Sequence, residues 1–161
     1  MTGDRVRVDT ADAMHDLGER LGRLARGGDV LVLIGDLGAG KTTLAQGIGR
    51  GMGIDEPITS PTFVIARTHA NPSGGPDLVH VDAYRLGSLA EVEDLDLESD
   101  LDRSVVVVEW GEGLVDGLSD SRLDVRIWRP ADDGNETRTV LLDSADTRWD
   151  AAIEDLPKVA L

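Results

Sequence analysis

The stretch Asp29-Val-Leu-Val-Leu-Ile34-Gly35-Asp36-Leu37-Gly38-Ala39-Gly40-Lys41-Thr42-Thr43 decides how the rest of the chain is read. Residues 35–42 complete the pattern G-x-x-x-x-G-K-[ST], and each position has a chemical reason. Glycines let the backbone curl until successive N–H groups point inward at phosphate oxygens. The helix that follows aims its positive N-terminal end at the same anion. Lys41 can reach the β- and γ-phosphates, and the Thr42 hydroxyl can hold Mg²⁺. The flanks supply the context that this motif requires. Residues 30–34 form an apolar run sized for a buried parallel strand, and Leu44, Ala45, Ile48 and Met52 recur at helical spacing. Strand, glycine loop and helix follow in that order.

Outward from this unit, Thr10 is placed as a helix N-cap, with Met14, Leu17, Leu21 and Leu24 forming one apolar stripe. Gly27-Gly28 is expected to end that helix. The loop helix is expected to run from about Lys41 to Met52. Its Gly47, Gly49 and Gly51 each cost ~1 kcal/mol relative to alanine, which points to close backbone packing on the sheet. A strand is expected over Phe63–Arg67, then turn chemistry over 70–77, then a strand over Leu78–Asp82 antiparallel to its predecessor. An eight-residue link is too short for a crossover. Val105–Val108 reads as a buried strand ending in Glu109-Trp110. Leu123–Trp128 and Thr137–Leu142 read as a hairpin around Asp132-Asp-Gly-Asn135. A short amphipathic helix over about Thr147–Leu156 is expected to close the chain. These elements predict one domain over residues 1–161, without internal repeat or linker.

The chain has 161 residues, enough for one domain with a substantial core. Its 40% hydrophobic and 29% charged residues are an ordinary soluble composition. No apolar run approaches the ~20 residues of a membrane span, and residues 1–8 lack the apolar stretch of a secretory signal. Cysteine is absent, which excludes disulfides and thiolate metal sites. A cytoplasmic location without membrane contact is the expectation. The net charge of −15 argues against a surface that grips nucleic acid broadly, because such binding rests on Lys and Arg. It leaves room for a nucleotide site built from backbone dipoles, and for docking on a basic partner.

A phosphate loop that works with Mg²⁺ calls for a second acidic group at the carboxyl end of a neighbouring apolar strand. Both Leu-Val-His-Val-Asp82 and Val-Val-Val-Val-Glu109 qualify, and local pattern leaves the two open. One carboxylate can serve the metal while the other orients water or accepts its proton. The single Phe and single Tyr, Phe63 and Tyr84, lie close to these segments. With no Asn-Lys-x-Asp guanine motif, ATP is favoured over GTP.

Four ordered motifs, Gly-Asp-Leu-Gly-Ala-Gly-Lys-Thr-Thr, Ser60-Pro-Thr62-Phe63, His80-x-Asp82-x-Tyr84-Arg85 and Glu109-Trp110-Gly-Glu112, together resemble the bacterial TsaE (YjeE) family. The similarity spans roughly residues 10–143. That family is the ATPase component of tRNA threonylcarbamoyladenosine biosynthesis. The resemblance implies a three-layer P-loop NTPase-like α/β fold, with a mainly parallel sheet and antiparallel edge strands. It implies ATP and Mg²⁺ as cofactors and slow hydrolysis. It also implies activity in a complex with TsaD and TsaB, through which the chain meets tRNA indirectly.

Carried over to this sequence, Asp36, Gly38, Ala39, Gly40, Lys41, Thr42 and Thr43 match the nucleotide-contacting residues. Thr42 and Glu109 match the Mg²⁺ ligands, and Asp82 matches the residue that positions or activates water, beside Lys41. Ser60, Thr62 and Phe63 match a nucleotide-sensing switch, and Trp110 follows the metal ligand near the partner-facing site. Gly111 stands where a proline is common and Ala83 where a leucine is usual, departures that bear on partner fit. His80 reads either as a histidine hydrogen-bonded within the sheet or as a base. Arg85 reads either as a phosphate clamp or as an ion-pair partner of the acidic segment 91–102. Two rival functions share the loop: a small-molecule kinase, and a nucleotide sensor that does not hydrolyse.

Overall fold

The computed structural model describes residues 5–36, 38–54, 56, 58, 66–82, 101–109, 121–130 and 134–159, with backbone only for Asp82 and Leu101. Besides two short 3-10 helices, seven strands and two α-helices are present among them. These are β1 (Arg5–Val8), α1 (Ala11–Leu24), β2 (Val30–Ile34), α2 (Lys41–Gly51), β3 (Ala66–His69), β4 (Asp77–Asp82), β5 (Ser104–Glu109), β6 (Arg122–Trp128) and β7 (Arg138–Asp143). The strands form one sheet in the order β1-β7-β6-β2-β5-β4-β3. Its centre, β6-β2-β5-β4, is parallel. Antiparallel pairings flank it on both sides, β3 on β4 and then β7 on β6 and β1 on β7. The antiparallel wing is therefore wider than edge strands alone, because the 122–143 hairpin carries β1 beyond it.

The central strands are short runs of Val, Leu and Ile buried on both faces, as parallel strands are. Leu31, Leu33, Val105, Val107, Leu123, Val125 and Ile127 join the core with Met14, Leu17 and Leu21 of α1 and Leu44, Ala45 and Ile48 of α2. On the opposite face Val30, Val32, Val81, Val106 and Val108 are also buried. No described helix packs there, so the described residues form two of the three expected layers.

Thr10 caps α1, its Oγ1 accepting from the Ala13 N–H at 3.0 Å. The helix ends at Leu24, before Gly27-Gly28, because Ala25 is already extended and Asp29 closes the turn by accepting from the Arg26 N–H at 2.6 Å. Asp29 is buried and also accepts from the Ser121 hydroxyl and the Arg148 guanidinium, both at 2.5 Å. Three donors offset the desolvation of that carboxylate and tie the start of β2 to the chain's last segment.

That segment is a 3-10 helix over Thr147–Ala152, shorter than the amphipathic helix to about Leu156 that the sequence pattern predicts. Three residues per turn place Trp149 and Ala152 on one buried face. Arg148, anchored on the Leu24 carbonyl at 2.7 Å, ties this segment to the end of α1. The Arg148 N–H, followed by its guanidinium, keeps the Asp146 carboxyl below its ordinary pKa. β1 has no counterpart in the sequence reading; its signal is the alternation Arg-Val-Arg-Val, with Val6 and Val8 buried. Residues 157–159 cover its outer edge through the Arg7 N–H to Pro157 carbonyl and Val159 N–H to Arg5 carbonyl bonds, each 2.8 Å.

Glycines set how α1 and α2 meet. A Cβ on Gly18 would lie 2.4 Å from the Leu44 carbonyl oxygen, and one on Gly22 would lie 2.2 Å from that of Ile48. Reciprocally, a Cβ on Gly47 or Gly51 would lie 2.1 Å from the carbonyl oxygen of His15 or Glu19. The helix glycines thus serve a helix–helix contact, and only Gly49 faces the sheet side, towards Ile58 and Leu78. Gly47→Ala would gain ~1 kcal/mol of helix propensity but must displace backbone, so a net loss of about 1–3 kcal/mol is expected in denaturant melts. Gly134→Ala, with open space around it, should stay within ~0.5 kcal/mol of the parent.

Candidate phosphate and metal site

Because β2, β4 and β5 are parallel, their carboxyl ends lie together, with Leu33 paired to Glu109 and Glu109 to Asp82. The glycine loop leaves β2 at this end and turns directly into α2. Gly38 and Gly40 adopt φ of +80° and +114°, the left-handed region that glycine enters without strain. Gly40 is the N-cap of α2 and supplies no side-chain cap, and the first turn carries no acidic residue. The first amides and the positive end of the helix dipole are therefore available to an anion.

Lys41 is 5% exposed and folds back over its own loop. Its Nζ donates to the carbonyls of Gly35 at 2.7 Å and Asp36 at 3.0 Å. Thr42 and Thr43, in the first turn, are half-buried, Ala39 is buried, and Asp36 and Gly38 are exposed. Arg138, at the start of β7, braces the loop from the side by donating to the carbonyls of Ala39 at 3.1 Å and Gly38 at 3.4 Å. Nothing in the local sequence marks Arg138 for this task; the antiparallel return of β7 brings it there. Arg129 approaches the same loop, 2.9 Å from where a Gly38 Cβ would stand.

Two cavities adjoin the loop. One, of about 210 Å³, runs between Thr10, Ala11 and Met14 of the α1 entry and Gly38, Gly40, Thr43, Glu136 and Arg138. The other, of about 360 Å³, is lined by Ile34, Gly35, Asp36, Arg126, Trp128 and Arg129. Thr10, Met14, Glu136, Arg126 and Arg129 join the site only through tertiary contact.

Glu109 is 4% exposed at the end of β5, and His80 of β4 is fully buried. His80 Nε2 lies 2.6 Å from Glu109 Oε2. His80 is thus hydrogen-bonded within the sheet, as one of its two readings has it, and its partner is a candidate metal ligand. Asp82 contributes its backbone register opposite Glu109. Ser60, Thr62, Phe63, Tyr84, Arg85 and Trp110 lie outside the described residues.

The donor set suits a hard divalent cation. The Thr42 hydroxyl and the Glu109 carboxylate offer the oxygen atoms that such a cation would take, and Glu109 is buried with a single hydrogen-bond partner among the described residues.

A family model described as threonylcarbamoyl adenosine biosynthesis protein TsaE matches residues 8–140. The chain belongs to the TsaE family. It is 54% identical over 141 residues to the tRNA threonylcarbamoyladenosine biosynthesis protein TsaE of Streptomyces coelicolor, covering 86% of this chain and 95% of that protein. The Bacillus subtilis protein of the same name is 37% identical over 135 residues, covering 83% of this chain and 81% of its own. A crystal structure of Bacillus subtilis YdiB superposes with a TM-score of 0.72 at 28% identity, covering 96% of this chain and 95% of that one. The α/β fold and the place in tRNA threonylcarbamoyladenosine biosynthesis follow from this TsaE membership.

The brace on the loop can be tested directly. Replacing Arg138 by Met removes a charged donor from two loop carbonyls. Amide exchange over residues 38–43 should then quicken about tenfold, while the second half of α2 keeps its protection. Unchanged loop exchange would remove Arg138 from this role.

Proposed function

We propose that this TsaE chain is a Mg²⁺-dependent ATPase subunit that hydrolyses ATP to drive or reset a TsaD–TsaB complex during tRNA threonylcarbamoyladenosine formation. The observation that carries the reading is the uncapped N-terminus of α2, cradled by Gly38 and Gly40, beside a buried Glu109. That pairing favours a polyphosphate held with a cation over a simple anion. The amides of residues 38–43 bind the phosphates. Lys41, already held over the loop by the Gly35 and Asp36 carbonyls, would exchange one or both of them for the γ-phosphate. The cavity flanked by Thr10 and Arg138 has room for the nucleoside end. Thr42 and Glu109 would hold Mg²⁺, which when bound neutralises phosphate charge. Asp82, at the adjoining strand end, orients or deprotonates the attacking water.

The acidic surface, with a net charge of −15, fits docking through protein partners better than capture of tRNA by this chain alone. Among the described residues no helix is long and apolar enough to cross a membrane.

ATP turnover by the purified chain, alone and with TsaD and TsaB, tests the proposal. Slow hydrolysis should rise with the pair and disappear in Lys41→Ala. Asp82→Asn should lose about a hundredfold or more in rate while nucleotide binding persists. Tight binding with no turnover even beside the pair would identify a sensor instead, and transfer of phosphate to a small molecule would identify a kinase.

A further inference from the structure

We propose that His80 is a positioning residue, whose Nε2 hydrogen bond orients the Glu109 carboxylate for a divalent cation. The inference rests on the reading of Glu109 as a metal ligand and assigns the residue that prepares it.

Three observations carry it. The first is geometry. His80 pairs with Val107 and Asp82 with Glu109, so His80 and Glu109 share one face of adjacent parallel strands, and their side chains meet at 2.6 Å. The second is the other ring nitrogen. His80 Nδ1 is buried and has no hydrogen-bond partner. A proton there would be a buried donor without an acceptor, costing about 1–3 kcal/mol. Nε2 is therefore the ring nitrogen placed to donate, with a carboxylate oxygen to accept. The third is spare acceptor capacity. Among the described residues His80 is the sole hydrogen-bond or ion-pair partner of Glu109. One hydrogen bond leaves a buried carboxylate with acceptor capacity to spare, which a cation would use. Asp29 makes the contrast, since three donors including a guanidinium already surround that buried carboxylate.

A leucine would fill the His80 position without an orphaned nitrogen, in a strand whose neighbours are Leu78, Val79 and Val81. What a leucine cannot supply is the donor. Hydrogen-bonded partners of ligating carboxylates typically govern metal affinity by 10–100-fold.

Mn²⁺ binding followed by electron paramagnetic resonance, with ADP present, separates this role from a purely structural one. His80→Leu should weaken Mn²⁺ about 10–100-fold, and His80→Gln, which restores a donor, should stay within about threefold of the parent. ADP binding without metal should change less than about twofold in both. Undiminished Mn²⁺ affinity in His80→Leu would overturn the assignment while leaving the ATPase reading intact. Failure of the parent chain to bind Mn²⁺ with ADP would overturn both. If neither variant folds, nitrogen-15 spectra of the parent decide: an Nε2–H donor is expected, and an Nδ1–H tautomer would refute it.

Discussion

The backbone contact between α1 and α2 is the constraint on which the site depends. Gly18 and Gly22 lie one turn apart on α1, and Gly47 and Gly51 one turn apart on α2. At each the neighbouring helix fills the space a side chain would need. This closeness lets α1 pack on α2 while both send apolar residues into one core. It also brings the N-terminal turn of α1 to the glycine loop, so that Thr10 and Met14 become walls of a cavity beside it. Dispersion and excluded water hold the pair together, and the missing Cβ atoms decide how near it can come.

Buried charge is handled differently at the two ends of β2. At its amino end Asp29 is saturated with donors and pins the final segment to the body of the domain. At its carboxyl end Lys41 rests on two carbonyls and Glu109 on one imidazole. The first arrangement is complete in itself and stabilises the fold. The second leaves the buried Glu109 carboxylate with a single partner among the described residues, near the N-terminus of α2.

Much of this was legible along the chain. The motif 35–42 with its flanking strand and helix predicts the central unit, because a glycine loop between a buried strand and a helix is a local structure with local causes. The strands over 77–82, 104–109 and 122–143 follow from β-branched runs bounded by turn chemistry. β1 escaped notice because four residues with two arginines carry little periodic signal. The closing helix is legible in its apolar spacing, but its 3-10 winding and its end at Ala152 are not, since so short a run carries no separate mark of three residues per turn.

The sequence by itself determined the glycine loop between strand and helix, the family and the residue types gathered in the motifs, since these rest on short runs whose spacing is their chemistry. Only the tertiary structure decided that Gly47 and Gly51 serve α1 rather than the sheet, that Arg138 braces the loop, and that His80 meets Glu109. Each of these joins groups far apart along the chain, His80 and Glu109 being separated by 29 residues and Arg138 and Ala39 by 99. Such contacts depend on strand order and register, which are settled by how one core is packed and by no local pattern.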